Sequence, residues 1–212
     1  LRANGIDTPD FRLFDDSQLA YFHLDFPCIV KPAAEDASHG LTEKSVVYDM
    51  ASLRQQLNEF NNTCSGQALG EEFIDGREFN ITVIGDSARC TALPISQIVY
   101  SLPQGKPEML TYAAKWQPDS IYYKNTRVVC PAEITDDEQK QMDKTAVAAF
   151  GLLGCRGYAR VDMRMDNKGR LYVIEVNPNP DISPSAGAAR QAQAAGLTYI
   201  QFIDRIVQLA LE

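Results

Sequence analysis

The fold is decided by the stretch Gly157-Tyr-Ala-Arg-Val-Asp-Met-Arg-Met165 and by Arg170-Leu-Tyr-Val-Ile-Glu-Val-Asn177, which follows after Asp166-Asn-Lys-Gly169. Both runs show the alternation of polar and apolar residues that is typical of β-strands. The four residues between them are polar and end in glycine, as short hairpin loops often do. The sequence therefore predicts an antiparallel hairpin.

Alternation along the two strands sorts their side chains onto two faces, because successive residues of a strand point in opposite directions. The predicted core face carries Val161, Met163, Met165, Tyr172, Ile174 and Val176. The opposite face carries Arg160, Asp162, Glu175 and Asn177. If the loop closes symmetrically, Asp162 lies opposite Glu175 and Arg160 lies opposite Asn177, whereas a bulge would shift this pairing by one residue.

Two carboxylates that lie directly opposite each other repel, which costs about 0.2–1 kcal/mol unless a cation lies between them. Asp162, Glu175 and Asn177 offer only oxygen ligands, the type that Mg²⁺ prefers. A solvated sheet face explains the same residues, with Arg160 neutralising one of the carboxylates. The hairpin alone leaves both explanations open.

Length and composition are those of an ordinary globular protein. Of the 212 residues, 45% are hydrophobic and 23% are charged, which is typical of globular proteins. The length is sufficient for one domain or for two small lobes around a cleft. The net charge of −8 argues against nucleic-acid or anionic-membrane partners, because both require an excess of Lys and Arg. The five cysteines are scattered and lack a CxxC pair, which predicts reduced thiols and a cytoplasmic protein.

The first half of the chain predicts a mixture of strands and helices. Residues 27–31 and 45–48 have the pattern of strands, and the helix predicted after them has three apolar residues at helical spacing: Leu53, Leu57 and Phe60. Residues 67–74 and 78–84 have the pattern of two further strands. Asp75-Gly76 between them is a strong tight-turn signal.

The second half predicts one long loop and three helices. Residues 102–125 lose periodicity, and a loop of that length is often functional. Thr135-Asp-Asp-Glu138 is a capping box that starts a helix, and Gly154 is placed to end it in the left-handed conformation. Residues 186–195 and 198–211 predict two terminal helices. The fold class is therefore α+β.

Five segments, in this order along the chain, resemble motifs of the ATP-grasp superfamily, and most closely those of the C-terminal portion of D-alanine:D-alanine ligases. They are Pro27-Cys-Ile-Val-Lys-Pro32, Glu71-Glu-Phe-Ile-Asp-Gly-Arg-Glu-Phe79, Lys115, Gly157-Tyr-Ala-Arg-Val-Asp162 and Ile174-Glu-Val-Asn-Pro-Asn-Pro180. Each motif alone is weak, but the ordered set spans nearly the whole chain.

The resemblance implies the ATP-grasp fold, in which two α+β lobes with antiparallel sheets grip a nucleotide between them. Residues 1–76 would form the smaller lobe and residues 77–212 the larger C-terminal lobe. The N-terminal domain that precedes these lobes in the family is expected to be absent from this chain, which also begins without an initiator Met.

The resemblance also implies roles for individual residues. Those expected to bind the nucleotide are Lys31, Glu71, Phe73, Ile74, Glu78 and Lys115. The two lysines would contact phosphates, Glu78 the ribose hydroxyls, and the remaining three the adenine, with Phe73 and Ile74 acting through backbone groups. The magnesium ligands would be Asp162, Glu175 and Asn177. Arg160 would be catalytic, because phosphoryl transfer needs cations that neutralise spreading charge.

The implied activity is that of an ATP- and Mg-dependent ligase, which joins a carboxylate to an amine through an acyl-phosphate. ATP and Mg²⁺ are the expected cofactors, with Mn²⁺ able to replace Mg²⁺. The expected partners are small carboxylate and amine substrates of the amino-acid class and a second copy of the chain in a homodimer, with no nucleic acid and no membrane. The alternative is an ATP-binding module, or an incomplete fragment, without catalysis of its own.

Three residues depart from the pattern of D-alanine:D-alanine ligases. Ala37 stands where a hydroxyl residue near the substrate is expected, Trp116 where a Tyr is usual, and Asp181 where a Gly is usual. These positions concern the substrates, so nucleotide binding is better supported than the D-alanine substrate. The chain contains neither GxGxxG nor GxxxxGK[ST], which excludes the Rossmann and P-loop modes of nucleotide binding.

Overall fold

The computed structural model describes residues 1–14, 23–35, 38–63, 67–86 and 89–211. The chain divides into two compact units. We call residues 9–75 with 100–127 the small unit, and residues 1–8, 76–99 and 128–212 the large unit. Within the described ranges, no helix is long and apolar enough to cross a membrane.

The small unit contains an antiparallel sheet whose described strands have the order β1-β4-β2-β3. Their bounds are Phe11–Phe14 (β1), Cys28–Pro32 (β2), Val46–Val47 (β3) and Ala68–Glu72 (β4). Helix α1 (Met50–Thr63) begins after Asp49, whose Oδ1 accepts from the Ser52 amide at 2.7 Å. Its apolar residues at helical spacing are buried, as predicted: Leu53, Leu57 and Phe60.

The segment predicted as a long loop, residues 102–125, contains two short helices. Helix α2 spans Tyr112–Trp116 and helix α3 spans Ile121–Lys124. Each begins at a hydroxyl cap, because Thr111 accepts from the Ala114 amide and Ser120 accepts from the Tyr123 amide. One-turn helices are too short to show the 3.6-residue pattern in a sequence, which is why the pattern predicted a loop.

The larger sheet contains six strands among the described residues, in the order β10-β9-β5-β7-β8, with β6 on β5. The bounds are Gly76–Gly85 (β5), Cys90–Ala92 (β6), Ser96–Tyr100 (β7), Thr126–Val129 (β8), Gly157–Asp166 (β9) and Leu171–Asn177 (β10). Pairing between β5 and β9 is antiparallel and continuous from Gly76 opposite Asp166 to Gly85 opposite Gly157. This ladder is the central strand pairing of the large unit.

Three longer helices complete the large unit: α4 (Asp136–Leu152), α5 (Gly187–Ala194) and α6 (Tyr199–Leu211). The predicted capping box starts α4, because Thr135 accepts from the Glu138 amide at 3.2 Å and Glu138 accepts from the Thr135 amide at 3.0 Å. Gly154 follows the C-cap with φ +67°, as predicted. One face of the sheet and α4 enclose a core that includes Phe79, Ile81, Met142, Phe150 and Met163.

The tight-turn signal at Asp75-Gly76 does not mark a hairpin. Strand β4 belongs to the sheet of the small unit and β5 to the larger sheet, so the two strands do not pair. Gly76 is required for another reason. Its φ is +150°, and a Cβ there would lie 2.1 Å from the Met165 carbonyl oxygen, so glycine permits the close approach of β5 to β9.

The two units are not the contiguous lobes 1–76 and 77–212 of the sequence analysis. The chain passes from one unit to the other between 75 and 76, but residues 1–8 group with the large unit and 100–127 with the small unit. Long-range contacts account for both segments. The Val173 amide donates to the Asp7 carbonyl at 2.9 Å, and the Tyr112 amide donates to the Leu41 carbonyl at 3.1 Å. Local sequence patterns carry no signal for such contacts.

Candidate functional site

The β9–β10 hairpin has the predicted pairing at its open end. Glu175 lies opposite Asp162, and Asn177 lies opposite Arg160. The two carboxylates are therefore neighbours on adjacent strands, where like charges repel unless a cation compensates them. Asp162 is largely buried and Glu175 is exposed, so this end of the hairpin is an acidic site that opens to solvent.

Near its turn the hairpin differs from the prediction. Met165 pairs with Leu171 and Met163 with Val173, and the register then shifts by one residue at Ile174 before Glu175 meets Asp162. Tyr172 and Ile174 therefore do not occupy the predicted core face, although Tyr172 is buried, and Leu171 and Val173 occupy that face instead. A bulge of one residue reverses which face each later side chain occupies. It restores the predicted pairing beyond Ile174.

Strand β5 adds a third row to the same surface. Glu78 lies opposite Arg164, Asn80 opposite Asp162, and Thr82 opposite Arg160. We call the residues of this surface the polar face: Glu78, Asn80, Arg160, Asp162, Arg164, Glu175 and Asn177. The sequence analysis missed Asn80 and Arg164. Alternation along each strand could have placed them on the face, but the pairing of β5 with β9 joins residues about eighty positions apart and leaves no local signal.

Arg160 and Asp162 form a two-point ion pair along β9. Nε donates to Oδ1 and Nη2 donates to Oδ2, both at 2.6 Å. Burial alone would lower the pKa of Arg160, but the negative charges of Asp162, Glu175 and Glu78 together raise it above its ordinary value. The guanidinium is therefore a permanent, oriented positive charge within the acidic site.

Glu78 and Arg164 form a second ion pair on the polar face. Arg164 Nη1 lies 3.4 Å from Glu78 Oε2, and Nη2 donates to the Gly76 carbonyl at 3.0 Å. Only 5% of the Arg164 side chain and 11% of the Glu78 side chain are exposed. A buried charge at this depth is tolerated only with a charged partner.

Gln191 on α5 connects β5 to the rest of the large unit. It is fully buried and donates to the Asn80 carbonyl at 2.8 Å, the Asn80 Oδ1 at 2.9 Å and the Ser96 Oγ at 3.0 Å. It also accepts from the Thr82 amide at 2.9 Å. These bonds fix Asn80, the residue opposite Asp162. The sequence analysis missed Gln191, because nothing in a glutamine of an alanine-rich helix indicates such a role.

The predicted magnesium ligands share the polar face and have suitable chemistry. Asp162, Glu175 and Asn177 supply two carboxylates and one amide, the oxygen donors that Mg²⁺ takes in small number. Both Asp162 oxygens accept from Arg160, and Asn177 Oδ1 accepts from the Asn179 amide at 2.9 Å. Within the described parts of the chain, no group of three or more His, Cys, Asp or Glu side chains is arranged to hold a metal. Asp162, Glu175 and Asn177 stay the candidate ligands that the sequence predicts.

The loop after β10 places a further carboxylate near Arg160. Asp181 Oδ1 accepts from the Ser183 amide at 2.8 Å. That bond, a side-chain bond to Ser183 and the charge of Arg160 hold the pKa of Asp181 below its usual range. Asp181 is therefore ionised at neutral pH, and it adds a negative charge to this end of the large unit.

The small unit brings together two of the predicted nucleotide contacts. Lys31 on β2 and Glu71 on β4 form an ion pair, and both side chains are mostly buried. The Phe73 amide donates to the Pro27 carbonyl at 3.0 Å, and Ile74 is buried. The pairing of β2 with β4 therefore holds the lysine and the glutamate of the first two motifs side by side.

The remaining predicted contact, Lys115, lies half-buried on α2. Its neighbour Trp116 is 60% exposed. At the start of the same helix, the rings of Tyr112 and His39 meet edge to face with centroids 5.6 Å apart. The backbone and side chains of residues 38–41 thus hold α2, because Ser38 Oγ also donates to the Leu110 carbonyl at 2.8 Å. Ala37 lies outside the described residues.

Comparisons with known proteins identify the family of the chain. The model of a family described as D-ala D-ala ligase C-terminus matches residues 3–208. Uncharacterized protein y4sG of Sinorhizobium fredii (strain NBRC 101917 / NGR234) is 32% identical over 99% of the chain and 60% of its own length. A D-alanine–D-alanine ligase of Haemophilus influenzae (strain PittEE) is 31% identical over 92% of the chain and 60% of its own length. The chain thus spans about 60% of the length of these relatives.

Solved structures of ligases have the same fold. The D-alanine–D-alanine ligase of Bacillus anthracis in complex with ATP matches with a TM-score of 0.71 and 25% identity, over 99% of this chain and 61% of that one. The VanG D-Ala:D-Ser ligase of Enterococcus faecalis matches with a TM-score of 0.76, over 98% of this chain and 58% of that one. Its identity of 23% supports the fold alone.

Proposed function

The chain belongs to the D-ala D-ala ligase C-terminus family, and we propose that it is the ATP-binding and magnesium-binding portion of an ATP-grasp ligase. The reaction joins a carboxylate to an amine and converts ATP to ADP and phosphate. The observation that carries the proposal is the polar face, where two facing carboxylates, an amide and a forked arginine occupy adjacent strands. An exposed ionic surface does not need facing carboxylates, which cost stability.

The large unit supplies the charges that phosphoryl transfer requires. A carboxylate substrate attacks the γ-phosphoryl group of ATP, which gives an acyl-phosphate and ADP, and an amine then displaces phosphate to form the amide. Arg160 offers a fixed positive charge to the transferred group and to the oxyanion of the second step. Asp162, Glu175 and Asn177 would hold Mg²⁺, which when bound neutralises phosphate charge.

The small unit supplies contacts to the nucleotide. Lys31 binds phosphate oxygens in this proposal, and Glu71 beside it accepts from the adenine amino group, with backbone groups of Phe73 and Ile74 at the ring. Their support is the common position of Lys31 and Glu71 on paired strands. Lys115 is the second phosphate contact, and Glu78 of the large unit binds the ribose.

The substrates of this proposal are small amino acids, the class on which the named D-alanine–D-alanine ligase of Haemophilus influenzae acts. Trp116 and Asp181 give this chain a larger aromatic surface and an added negative charge at positions linked to the substrates. We therefore assign D-alanine neither as the carboxylate substrate nor as the amine substrate. We also propose that the chain forms a homodimer and that Mn²⁺ can replace Mg²⁺. The proposed location is cytoplasmic, which agrees with the free thiols of Cys28, Cys90, Cys130 and Cys155.

A second candidate function is ATP binding without catalysis by this chain alone. It is favoured by one observation: the chain spans about 60% of the length of its relatives. Thermal unfolding with and without Mg-ATP, together with ADP release in amino-acid mixtures, distinguishes the candidates. Stabilisation with ADP release supports the ligase, and stabilisation without ADP release supports the binding module. An unchanged unfolding temperature at saturating Mg-ATP contradicts both.

A further inference from the structure

We propose that Arg164 is a positioning residue that holds the carboxylate of Glu78 to accept the two ribose hydroxyls of the nucleotide. The inference rests on the proposed function, because it assumes that the polar face binds ATP. It concerns a residue to which neither the motifs nor the comparisons give a role. The consequence is that selection of ribose over deoxyribose depends on a buried arginine.

The position of Arg164 is fixed at both ends of its guanidinium. Nη2 donates to the Gly76 carbonyl at 3.0 Å, and Nη1 lies 3.4 Å from Glu78 Oε2. Glu78 is also the residue directly opposite Arg164 in the β5–β9 ladder. The carbonyl anchor cannot shift easily, because Gly76 packs against the Met165 backbone so closely that a Cβ would lie 2.1 Å from its oxygen. Arg164 is therefore a rigid support for one side of the Glu78 carboxylate.

The contact to Glu78 differs from the other ion pair of the polar face. Arg160 and Asp162 are joined by two bonds of 2.6 Å, which engage both carboxylate oxygens. The Arg164 contact is longer, with 3.4 Å between Nη1 and Glu78 Oε2. An ionised carboxylate has about four acceptor positions, so an arginine at one side of Glu78 orients the carboxylate without excluding two hydroxyl donors.

The ligand that fits this arrangement is a vicinal diol. Two adjacent hydroxyls can both donate to one carboxylate, and hydrogen bonds to a charged acceptor are stronger than those between neutral groups. Burial makes a missing partner costly, so a sugar without the hydroxyls is disfavoured. The charge of Glu78 also acts on Arg160, which places it in the electrostatic environment of the proposed catalytic residue. Ribose recognition and the phosphate chemistry then share one surface.

The test compares the affinities of the 212-residue chain for Mg-ATP and for Mg-2′,3′-dideoxy-ATP by calorimetry. We expect the wild-type chain to bind ATP about tenfold or more tightly than the dideoxy analogue, because each hydrogen bond to a charged acceptor contributes about a factor of ten. In Arg164→Met, ATP affinity should fall about tenfold while dideoxy-ATP affinity stays within about twofold. The matched control is Arg170→Met, because Arg170 belongs to the same hairpin and forms an ion pair with Asp7. This variant should leave both affinities unchanged.

A structural role alone would weaken both nucleotides equally, so an unchanged ratio in Arg164→Met overturns the inference. If that variant does not fold, Arg164→Lys takes its place. Lysine keeps the charge but lacks the planar fork that spans Gly76 and Glu78, and the ratio should fall about threefold. An undiminished ratio in Arg164→Lys then overturns the inference. A wild-type chain that binds both nucleotides equally refutes it while leaving the proposed function intact, and a chain that binds neither refutes both.

Discussion

The two units hold their proposed nucleotide contacts in different ways. In the large unit, the polar face lies on strands whose pairing runs without interruption over the ten residues of β5 and β9. In the small unit, β2 and β4 pair over five residues, β3 has two, and Lys115 lies on a helix of five. Long ladders fix side chains more firmly than short segments do. Groups that must be preorganised for catalysis therefore belong to the large unit.

The two units show the same difference in one ion pair each. Arg160 and Asp162 are joined through Nε and Nη2 of the guanidinium and both carboxylate oxygens. Lys31 meets Glu71 through a single nitrogen on a flexible stem. A guanidinium held in one orientation suits the stabilisation of a transition state, whereas a lysine can follow a phosphate group as it binds. Substitution of a proposed magnesium ligand or of Arg160 in the large unit should therefore affect turnover, and substitution of Lys31 in the small unit should affect affinity.

The largest effect is expected from Glu175→Gln. The change keeps the shape of the side chain but removes one of the two facing charges, so ATP-dependent turnover should fall about 10²–10³-fold. Because Glu175 is exposed, the free energy of unfolding should change little. ADP release and thermal unfolding measure the two quantities.

The matched control is Glu133→Gln, an exposed glutamate of the same unit outside the polar face, which should leave turnover unchanged. Retained turnover in Glu175→Gln would contradict the metal assignment. It would also remove the main reason for assigning catalysis to the large unit.

A smaller effect is expected from Gln191→Leu, which tests whether α5 holds the polar face in place. The leucine leaves the buried Thr82 amide and the Asn80 carbonyl without the partner that Gln191 provides. Buried groups that lose a partner cost about 1–3 kcal/mol each, so the free energy of unfolding should fall by about 2–6 kcal/mol. Urea unfolding measures it. The control is Gln193→Leu, at an exposed position of the same helix, whose free energy of unfolding should stay within about 0.5 kcal/mol of wild type. An equal loss of stability in the two variants would mean that helix propensity, and not the hydrogen bonds of Gln191, is responsible.

The sequence predicted the large-unit hairpin well because strand alternation is a local signal. The pairing of Asp162 with Glu175 followed from a symmetric loop, and the structure has that pairing. The structure reaches this pairing in another way. An asymmetric turn shifts the register by one residue, and the bulge at Ile174 shifts it back. Neither event has a local signature, so Tyr172 and Ile174 were assigned to the wrong face.

Contacts between distant segments could not be predicted. Arg164 meets Glu78, and Gln191 meets Asn80, only because β5 lies between β9 and β7 and against α5. The Asp75-Gly76 signal was local but ambiguous, since glycine serves a tight turn and a close backbone approach equally well. Only the fold distinguishes these uses.

The smallest effect is expected from Lys31→Met, which tests the small unit. The methionine keeps the unbranched shape of the stem and removes the positive charge, so the affinity for Mg-ATP should fall about tenfold, the worth of one hydrogen bond between charged groups. Adenosine has no phosphate, and its affinity should not change. Calorimetry with both ligands separates a phosphate contact from a structural effect, because loss of the Glu71 partner alone would weaken adenosine as much as ATP. Lys44→Met removes an exposed lysine paired with Glu59 at 3.7 Å and should leave both affinities unchanged. A fall in turnover at saturating ATP in Lys31→Met would show that the small unit also stabilises the transition state, and the division of roles between the units would then fail.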